Sequence, residues 1–364
     1  METYQTMGDL LLRRYVTDYI SRTQQLSAPT YSRLKENSNY AMTGDGIHFS
    51  IEIDGNESGG QWRARGNNQL SIPQNERTKR AQVYPKKYYH VVTFDGLAEA
   101  VSARGGEDAF VAGITYALSQ AVRRAGANFE TTFLRGDGTG RLGNYVSGTG
   151  TTTIGVTDAR VFRPGQVIVF LNNTTGLRID GPVTVTGRSV SAGTITTSSA
   201  VTAATTDGIY IAGEQSEAAP PAETTMLGLP ALVSNTGSIY GYSRVTYPSL
   251  QSKIIAASGS LDESMLRRLR KQLMVETAVD TLEGYAMISN HDQFDRYTEI
   301  ALPFRRFLDN RLELGAQQEL TSFEGRPWYI TWAADPTRVY FLNLGALERG
   351  TVRPLSIDER VNMA

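Results

Sequence analysis

The run Gly138-Thr139-Gly140-Arg141-Leu142-Gly143 matches the G-x-G-x-x-G pattern, and Asp158 follows at a distance suited to a ribose ligand. A dinucleotide site needs a strand before the glycines and a helix after them. Here a helical pattern precedes and a Thr-rich β pattern follows, so the glycines read as a helix stop and a tight turn. Asp54, Asn56 and Ser58 open like a calcium loop, but the twelfth position, where a bidentate Glu belongs, is Arg65. The three histidines, His48, His90 and His291, are scattered, and His48 and His90 fall in predicted strands. His291-Asp292 stands near a helix start, where capping is the ordinary role. No G-x-S-x-G, H-E-x-x-H or phosphate-loop motif occurs. Cys is absent, which excludes disulfides, thiolate-bound zinc and thiol nucleophiles. No catalytic, cofactor-binding or metal-binding residue is assigned, and no cofactor is expected.

What remains is a surface chemistry of cations and rings. From Gly60 to His90 the chain carries Arg63, Arg65, Arg77, Lys79, Arg80, Lys86 and Lys87 against Glu76 alone. Trp62, Tyr84, Tyr88 and Tyr89 are interleaved with them. Such a stretch could stack single-stranded nucleic acid, form a solvated loop, or dock on an acidic neighbour. Arg, with its planar fork and weak hydration, suits the last. The energetics of the segment Asp54–Val83 point the same way. Ordering about thirty residues costs roughly 1–2 kcal/mol each in backbone entropy. The large apolar side chains Trp62, Leu70 and Ile72 return about 1.5–3 kcal/mol apiece. The segment cannot order itself, so it must stay mobile or lie on another subunit, and assembly rather than catalysis is the expected function. Trp62, Arg63, Arg65, Arg77, Lys79 and Arg80 are the candidate inter-subunit contacts.

The elements that position this loop are legible on either side. His48–Asp54 alternates Phe49, Ile51 and Ile53 with polar residues, which is strand spacing. Residues 81–95 read as a return strand, closed by Asp95-Gly96. Residues 106–135 hold Phe110, Ile114, Leu118, Val122, Ala125, Phe129 and Phe133 in one apolar helical stripe. Residues 149–213 are dense in Thr, Val, Ile and Gly, with turn signals at Asp180-Gly181 and Asp207-Gly208. They predict a small antiparallel barrel or sandwich. Residues 214–223, with Pro220-Pro221, read as its exit linker. Ser260 and Glu263 form a capping box for a helix carrying Leu261, Met265, Leu266, Leu269 and Leu273, with Arg267, Arg268, Arg270 and Lys271 in its last turns. Strands are predicted over 285–289, 327–332 and 339–344, and a short helix over 292–300.

The chain has 364 residues and a net charge of −1. That length allows two or three domains, and that charge gives no global attraction to nucleic acid or membrane. The N-terminus lacks the basic and apolar regions of a signal peptide. No apolar run is long enough to span a bilayer. A soluble, cytosolically made protein with no membrane partner is expected.

The order of parts resembles the major capsid proteins of tailed bacteriophages, with the Hong Kong 97-type fold. Phe133-Leu134-Arg135-Gly136-Asp137-Gly138-Thr139-Gly140 resembles that family's turn after its spine helix. Residues 226–233 (MLGLPALV) and 240–245 (YGYSRV) resemble the place where its core domain resumes. Phe162–Gln166 and Asp207–Gly213 resemble an accessory β insertion found in some members. The resemblance implies an α+β capsid fold. Its parts would be an N-terminal arm over 1–40, an extended E-loop with flanking strands over 41–95, and a peripheral domain with the spine helix over 96–148. An inserted all-β domain would follow over 149–213, an axial domain over 214–335, and a C-terminal strand and tail over 336–364 returning to the core.

The resemblance further implies pentamers and hexamers of one chain in an icosahedral shell around double-stranded DNA, with no enzymatic role. Implied partners are other copies of the chain, a scaffolding protein, a portal, a decoration protein and the packaged DNA, contacted non-specifically. The implied location is the virion capsid, after synthesis in a host bacterial cytoplasm. Only a short arm precedes the loop, so scaffolding would come from a separate chain, or from a segment already removed. Some members cross-link Lys to Asn between subunits. Lys79, Lys86 and Lys87 lie on the return limb of the loop, but no Asn or Glu partner can be identified. Alternative readings are an encapsulin-like compartment shell and a tail or β-rich binding protein that uses residues 150–213 for recognition.

Overall fold

A computed structural model of the chain describes residues 28–37, 42–43, 46–54, 77–90, 107–205, 207–213, 224–257, 259–277, 282, 284–305 and 322–352. The amphipathic arm before residue 28, the loop 55–76, the linker 214–223 and the C-terminal tail lie outside the described residues.

After a short strand β1 (Lys35–Asn37) and β2 (Met42–Thr43), strands β3 (Gly46–Asp54) and β4 (Arg77–Val83) form an antiparallel hairpin. Its register runs from Ile47 opposite Val83 to Asp54 opposite Arg77. The return strand differs from the expected one. It begins earlier, at Arg77, and stops at Val83, just before Tyr84-Pro85. Proline offers no N–H to a ladder, so pairing ends there. Arg77, Lys79 and Arg80 are therefore strand residues rather than loop residues.

Helix α1 (Glu107–Arg135) has the predicted extent. The described half of its stripe is buried at Ala125 and Phe133, with Leu134 beside them. The helix stops where Gly136 N–H donates to Thr132 O at 2.8 Å. Gly138 and Gly140 then take φ of 91° and 84°, a region that favours glycine. The Asp137 carboxylate accepts from Thr139 N at 3.0 Å and pairs with Arg141 at 2.8 Å. The G-x-G-x-x-G run is thus a self-satisfied turn between a helix and a strand, with a carboxylate where a phosphate would need open N–H groups.

The next six strands close into a barrel: β5 (Arg141–Ser147), β6 (Thr151–Val156), β7 (Val167–Leu171), β8 (Arg178–Ser189), β9 (Thr194–Val201) and β10 (Gly208–Ile211). The order around it is β10-β5-β6-β9-β8-β7, and every pairing is antiparallel. Its interior is filled by Tyr145, Ile154, Phe162, Ile168, Phe170, Val185, Ile195 and Ile209, among others. The first strand lies ahead of the composition change at Thr149. The only inward apolar anchors of β5 are Leu142 and Tyr145, which leaves too little alternation to read as a strand.

The barrel leaves and rejoins the body at one place. Thr224 N and Thr225 N both donate to Gly138 O, at 2.9 and 3.0 Å, and Gly228 N donates to Gly136 O at 3.2 Å. Gly228 is required by close approach. A Cβ there would lie 2.3 Å from Thr132 O, 2.6 Å from Gly136 O and 2.7 Å from Phe133 O.

The chain continues through α2 (Leu229–Leu232), the small hairpin β11 (Ser238–Ile239) and β12 (Tyr242–Ser243), and α3 (Glu263–Thr277). It then runs through β13 (Tyr285–Ser289), α4 (His291–Arg305), β14 (Ser322–Phe323), β15 (Arg326–Ile330), β16 (Val339–Asn343) and β17 (Glu348–Gly350). Strands β14-β15-β13-β16 form one sheet, with β13 and β15 parallel. Strand alternation sends successive side chains to opposite faces. Met287, Trp328 and Phe341 join Leu266, Leu269, Phe294 and Tyr297 on the face covered by α3 and α4. Ile288, Tyr329 and Tyr340 join Leu34, Phe133, Leu134 and Leu229 on the other. The sheet is therefore a two-sided core between the end of α1 and the later helices. Strand β17 returns to pair in parallel with β1.

Helix α3 departs from its sequence reading at both ends. It begins at Glu263, with Ser264 Oγ donating to the Asp262 carboxylate and Met265 N–H donating to Asp262 O, so Asp262 rather than Ser260 is the cap. It runs to Thr277, which places Arg267 and Arg270 mid-helix. There they pair with Glu263 and with Glu324 of the β14–β15 turn rather than with the helix end. No helix among the described residues is long and apolar enough to cross a membrane.

Candidate assembly surface

The hairpin β3–β4 is held at its base and free along one limb. Its apolar face carries Ile47, Phe49, Ile51, Ile53 and Ala81, and Ile53 and Ala81 are fully covered. The Phe49 ring meets Tyr240 edge-on, with centroids 5.2 Å apart. Tyr242 Oη donates to Arg80 O at 2.7 Å. Both tyrosines belong to the β11–β12 turn, where Tyr240 holds φ of 52° and Gly241 φ of 85°.

That turn is fixed in its place by Arg244, whose side chain is almost wholly buried. Its guanidinium donates to Ala231 O at 2.6 Å, Thr236 O at 3.0 Å, Leu232 O at 3.1 Å and Leu250 O at 3.2 Å. Burial holds its pKa below the usual arginine range, with Tyr240 opposing. A buried cation satisfied by carbonyls alone is a costly device, and here it ties the end of α2 to the platform that carries the hairpin.

Of the predicted contact residues, Trp62, Arg63 and Arg65 lie outside the described residues. Arg77 opens β4 opposite Asp54. Lys79 and Arg80 stand exposed on β4, opposite Ile51 and Ser50. No carboxylate among the described residues pairs with either. Alternation puts them on opposite faces of the ribbon. Asn56 and Ser58, of the run that only opens like a calcium loop, also lie outside the described residues. No cluster of His, Asp or Glu suited to a metal ion occurs among the described residues.

Three further residues join the parts of the molecule. Glu130 of α1 is fully buried. Its carboxylate accepts from Thr30 N at 3.2 Å, from Tyr31 N at 2.8 Å and from Thr331 Oγ1 at 3.2 Å. It fastens the segment around Tyr31 and the chain after β15 to one helix. Burial raises its pKa, and the donated hydrogen bonds offset this only in part. Arg135, the last residue of α1, donates to Ala333 O and Ala334 O and pairs with Asp158 of the barrel at 2.7 Å. Both side chains of that pair are only 11% exposed, which makes it a shielded tie rather than a surface pair. Asn290 Nδ2 donates to Ala334 O at 2.8 Å, and its Oδ1 accepts from Arg160 Nη1 at 2.9 Å and from Asp292 N at 3.3 Å. The start of α4 is thus capped by Asn290, with His291 as the helix's first residue. Glu130 breaks the polar rule inside an apolar stripe, the one sequence signal that could have marked it.

No protein-family model and no curated protein matches the chain. Its structure matches a chain described as the cyanophage A-1(L) capsid asymmetric unit with a TM-score of 0.51. The match covers 87% of this chain and 71% of that one, at 13% identity. The fold is phage-capsid-like. At that identity the likeness lies in the arrangement of helices and strands, which agrees with the mixed helix-and-strand architecture expected from the sequence.

Proposed function

We propose that the chain is the major capsid subunit of a tailed bacteriophage. It would assemble into pentamers and hexamers of an icosahedral shell around double-stranded DNA, without chemistry of its own. The observation that carries this reading is the capsid-like fold over 87% of the chain. The hairpin β3–β4 with the loop it bears is then the E-loop, a clasp laid on a neighbouring subunit. Its base is held by Phe49, Tyr240, Tyr242 and Arg244, while Lys79 and Arg80 offer charge that no carboxylate among the described residues matches. Helix α1 acts as the spine of the peripheral domain, and the sheet with α3 and α4 belongs to the axial domain. The barrel is an insertion on the shell's outer face. A scaffolding protein and a portal supply what one subunit type cannot, and the location is the virion.

Removal of residues 55–76 tests the clasp. The shortened chain should unfold at the temperature of the full chain, because these residues add little to any core. It should yield no fast-sedimenting shells in a reaction where the full chain does. Normal shells from the shortened chain, or a shortened chain that is unfolded, would refute the assignment.

A further inference from the structure

Beside the turn that carries the hairpin lies a cavity of about 190 Å³, half open to solvent. Sites for drug-sized molecules measure about 300–1,000 Å³, so this one admits a single small group. Three parts of the chain wall it. Asp137 comes from the turn after α1, Pro230 and Ala231 from α2, and Thr236 and Ser238 from the start of the β11–β12 hairpin. Arg244 lines it from within the fold and is 2% exposed.

A guanidinium has five N–H groups and no acceptor. Four of those on Arg244 are bonded to carbonyls. Nε donates to Leu250 O, one Nη1 hydrogen to Thr236 O, and Nη2 to Ala231 O and Leu232 O. The second Nη1 N–H bonds none of the described residues, and no described carboxylate pairs with Arg244. The Thr236 and Ser238 side chains stand exposed at the mouth, and their hydroxyls bond none of the described residues. The Asp137 carboxylate on the wall is already engaged. Its Oδ1 accepts from Thr139 N at 3.0 Å and its Oδ2 pairs with Arg141 at 2.8 Å. Arg141 thus matches the charge of Asp137, while the charge of Arg244 is matched by carbonyl dipoles alone.

We propose that this cavity binds a small carboxylate, with one oxygen on the spare Arg244 N–H and the other toward the hydroxyls of Thr236 and Ser238. The site offers donors, so its ligand is an acceptor. The cation is buried, so a charged acceptor gains more than a neutral one, since charge-assisted hydrogen bonds are about twice as strong. A phosphate would carry three or more oxygens past the one N–H that is left. A bound carboxylate would touch the stop of α1, the end of α2 and the hairpin's platform together, and so stiffen the mount of the hairpin.

The inference concerns the unassembled chain and stands apart from the shell reading. Arg244 itself holds the platform, so the test variant is placed at the mouth, as Ser238→Leu, which closes it. The full-length wild type and this variant are melted near pH 7 in rising sodium acetate, with sodium chloride at equal concentration and acetamide, the neutral isostere, as controls. Each protein is read against its own midpoint without additive. Acetate should raise the wild-type midpoint saturably, by about 2–4 °C, where chloride and acetamide do not. Hydrogen exchange across residues 231–244 should slow with the same concentration dependence. Ser238→Leu should lose both effects. No saturable rise, a rise of equal size in Ser238→Leu, or an equal rise with acetamide would overturn the inference. The source of the carboxylate is read in a parallel assembly reaction. Acetate that stabilises the chain and leaves assembly unchanged marks a free small ligand. Acetate that stabilises the chain and blocks assembly over the same concentrations marks a carboxylate side chain of a second copy.

Discussion

Glu130 shows what one residue can decide in this fold. Its carboxylate holds two backbone N–H groups of the segment 28–34, and no cation among the described residues pairs with it. Glu130→Gln keeps the volume but turns an N–H donor toward the donors at Thr30 and Tyr31. It should destabilise the unassembled chain by about 1–3 kcal/mol in mildly acidic solution, measured by thermal unfolding. The pH dependence has a definite sign. The folded carboxyl has a raised pKa, so the folded chain holds this proton more tightly than the unfolded chain does. The stabilisation from that proton is complete below the ordinary glutamate value of 4.5 and is lost as pH rises through the raised value. The gap between wild type and Glu130→Gln should therefore narrow with rising pH. A gap that widens would show that the hydrogen bonds, not burial, set the titration. Arg244 gives a second case. Arg244→Met leaves four carbonyls short of a donor and should loosen the hairpin's platform. Faster hydrogen exchange across residues 236–252 is the measurement.

At the scale of elements, local pattern and long-range contact divide the credit. Helix α1 was legible because Phe129 and Phe133 continue one stripe, and β3 because Phe49, Ile51 and Ile53 alternate. The barrel was legible as a change of composition, but its first strand was not, since β5 borrows its partners from β6 and β10. The cap of α3 was misplaced because Ser260 and Asp262 both offer a side-chain oxygen before Glu263, and only the backbone path chooses between them. The Arg135–Asp158 tie and the Glu130 contacts join residues far apart in sequence, and no periodicity announces such a meeting. The adjacent ends of the barrel allow a direct test. Joining Gly140 to Thr224, with the barrel removed, should leave a folded body with lowered thermal stability. Arg135 loses Asp158 and Asn290 loses Arg160, and stranding a shielded charge costs about 3–5 kcal/mol. Circular dichroism and thermal melting would register both outcomes, and an unfolded product would show that the barrel is part of the core. Gly228→Ala should be nearly as harmful, because its Cβ would press on three helix carbonyls at 2.3 to 2.7 Å.

As a whole molecule the subunit is two-sided. A sheet with helices on both faces gives a rigid body, and the barrel is tied to it by Arg135 and Arg160. The held hairpin then presents Lys79 and Arg80, exposed and paired with no carboxylate among the described residues. That combination suits a chain whose last contacts are made with copies of itself. The sequence marks no Asn and acid pair suited to a Lys–Asn bond, so a shell of this chain should be held without covalent links. Boiling in detergent should return a single monomer band, and a ladder of multimers would contradict this. The central claim is tested most directly by negative-stain electron microscopy of the full chain produced with its scaffolding protein. Closed icosahedral shells of uniform size are the predicted result. Tubes, or a chain that stays monomeric at every concentration, would contradict it.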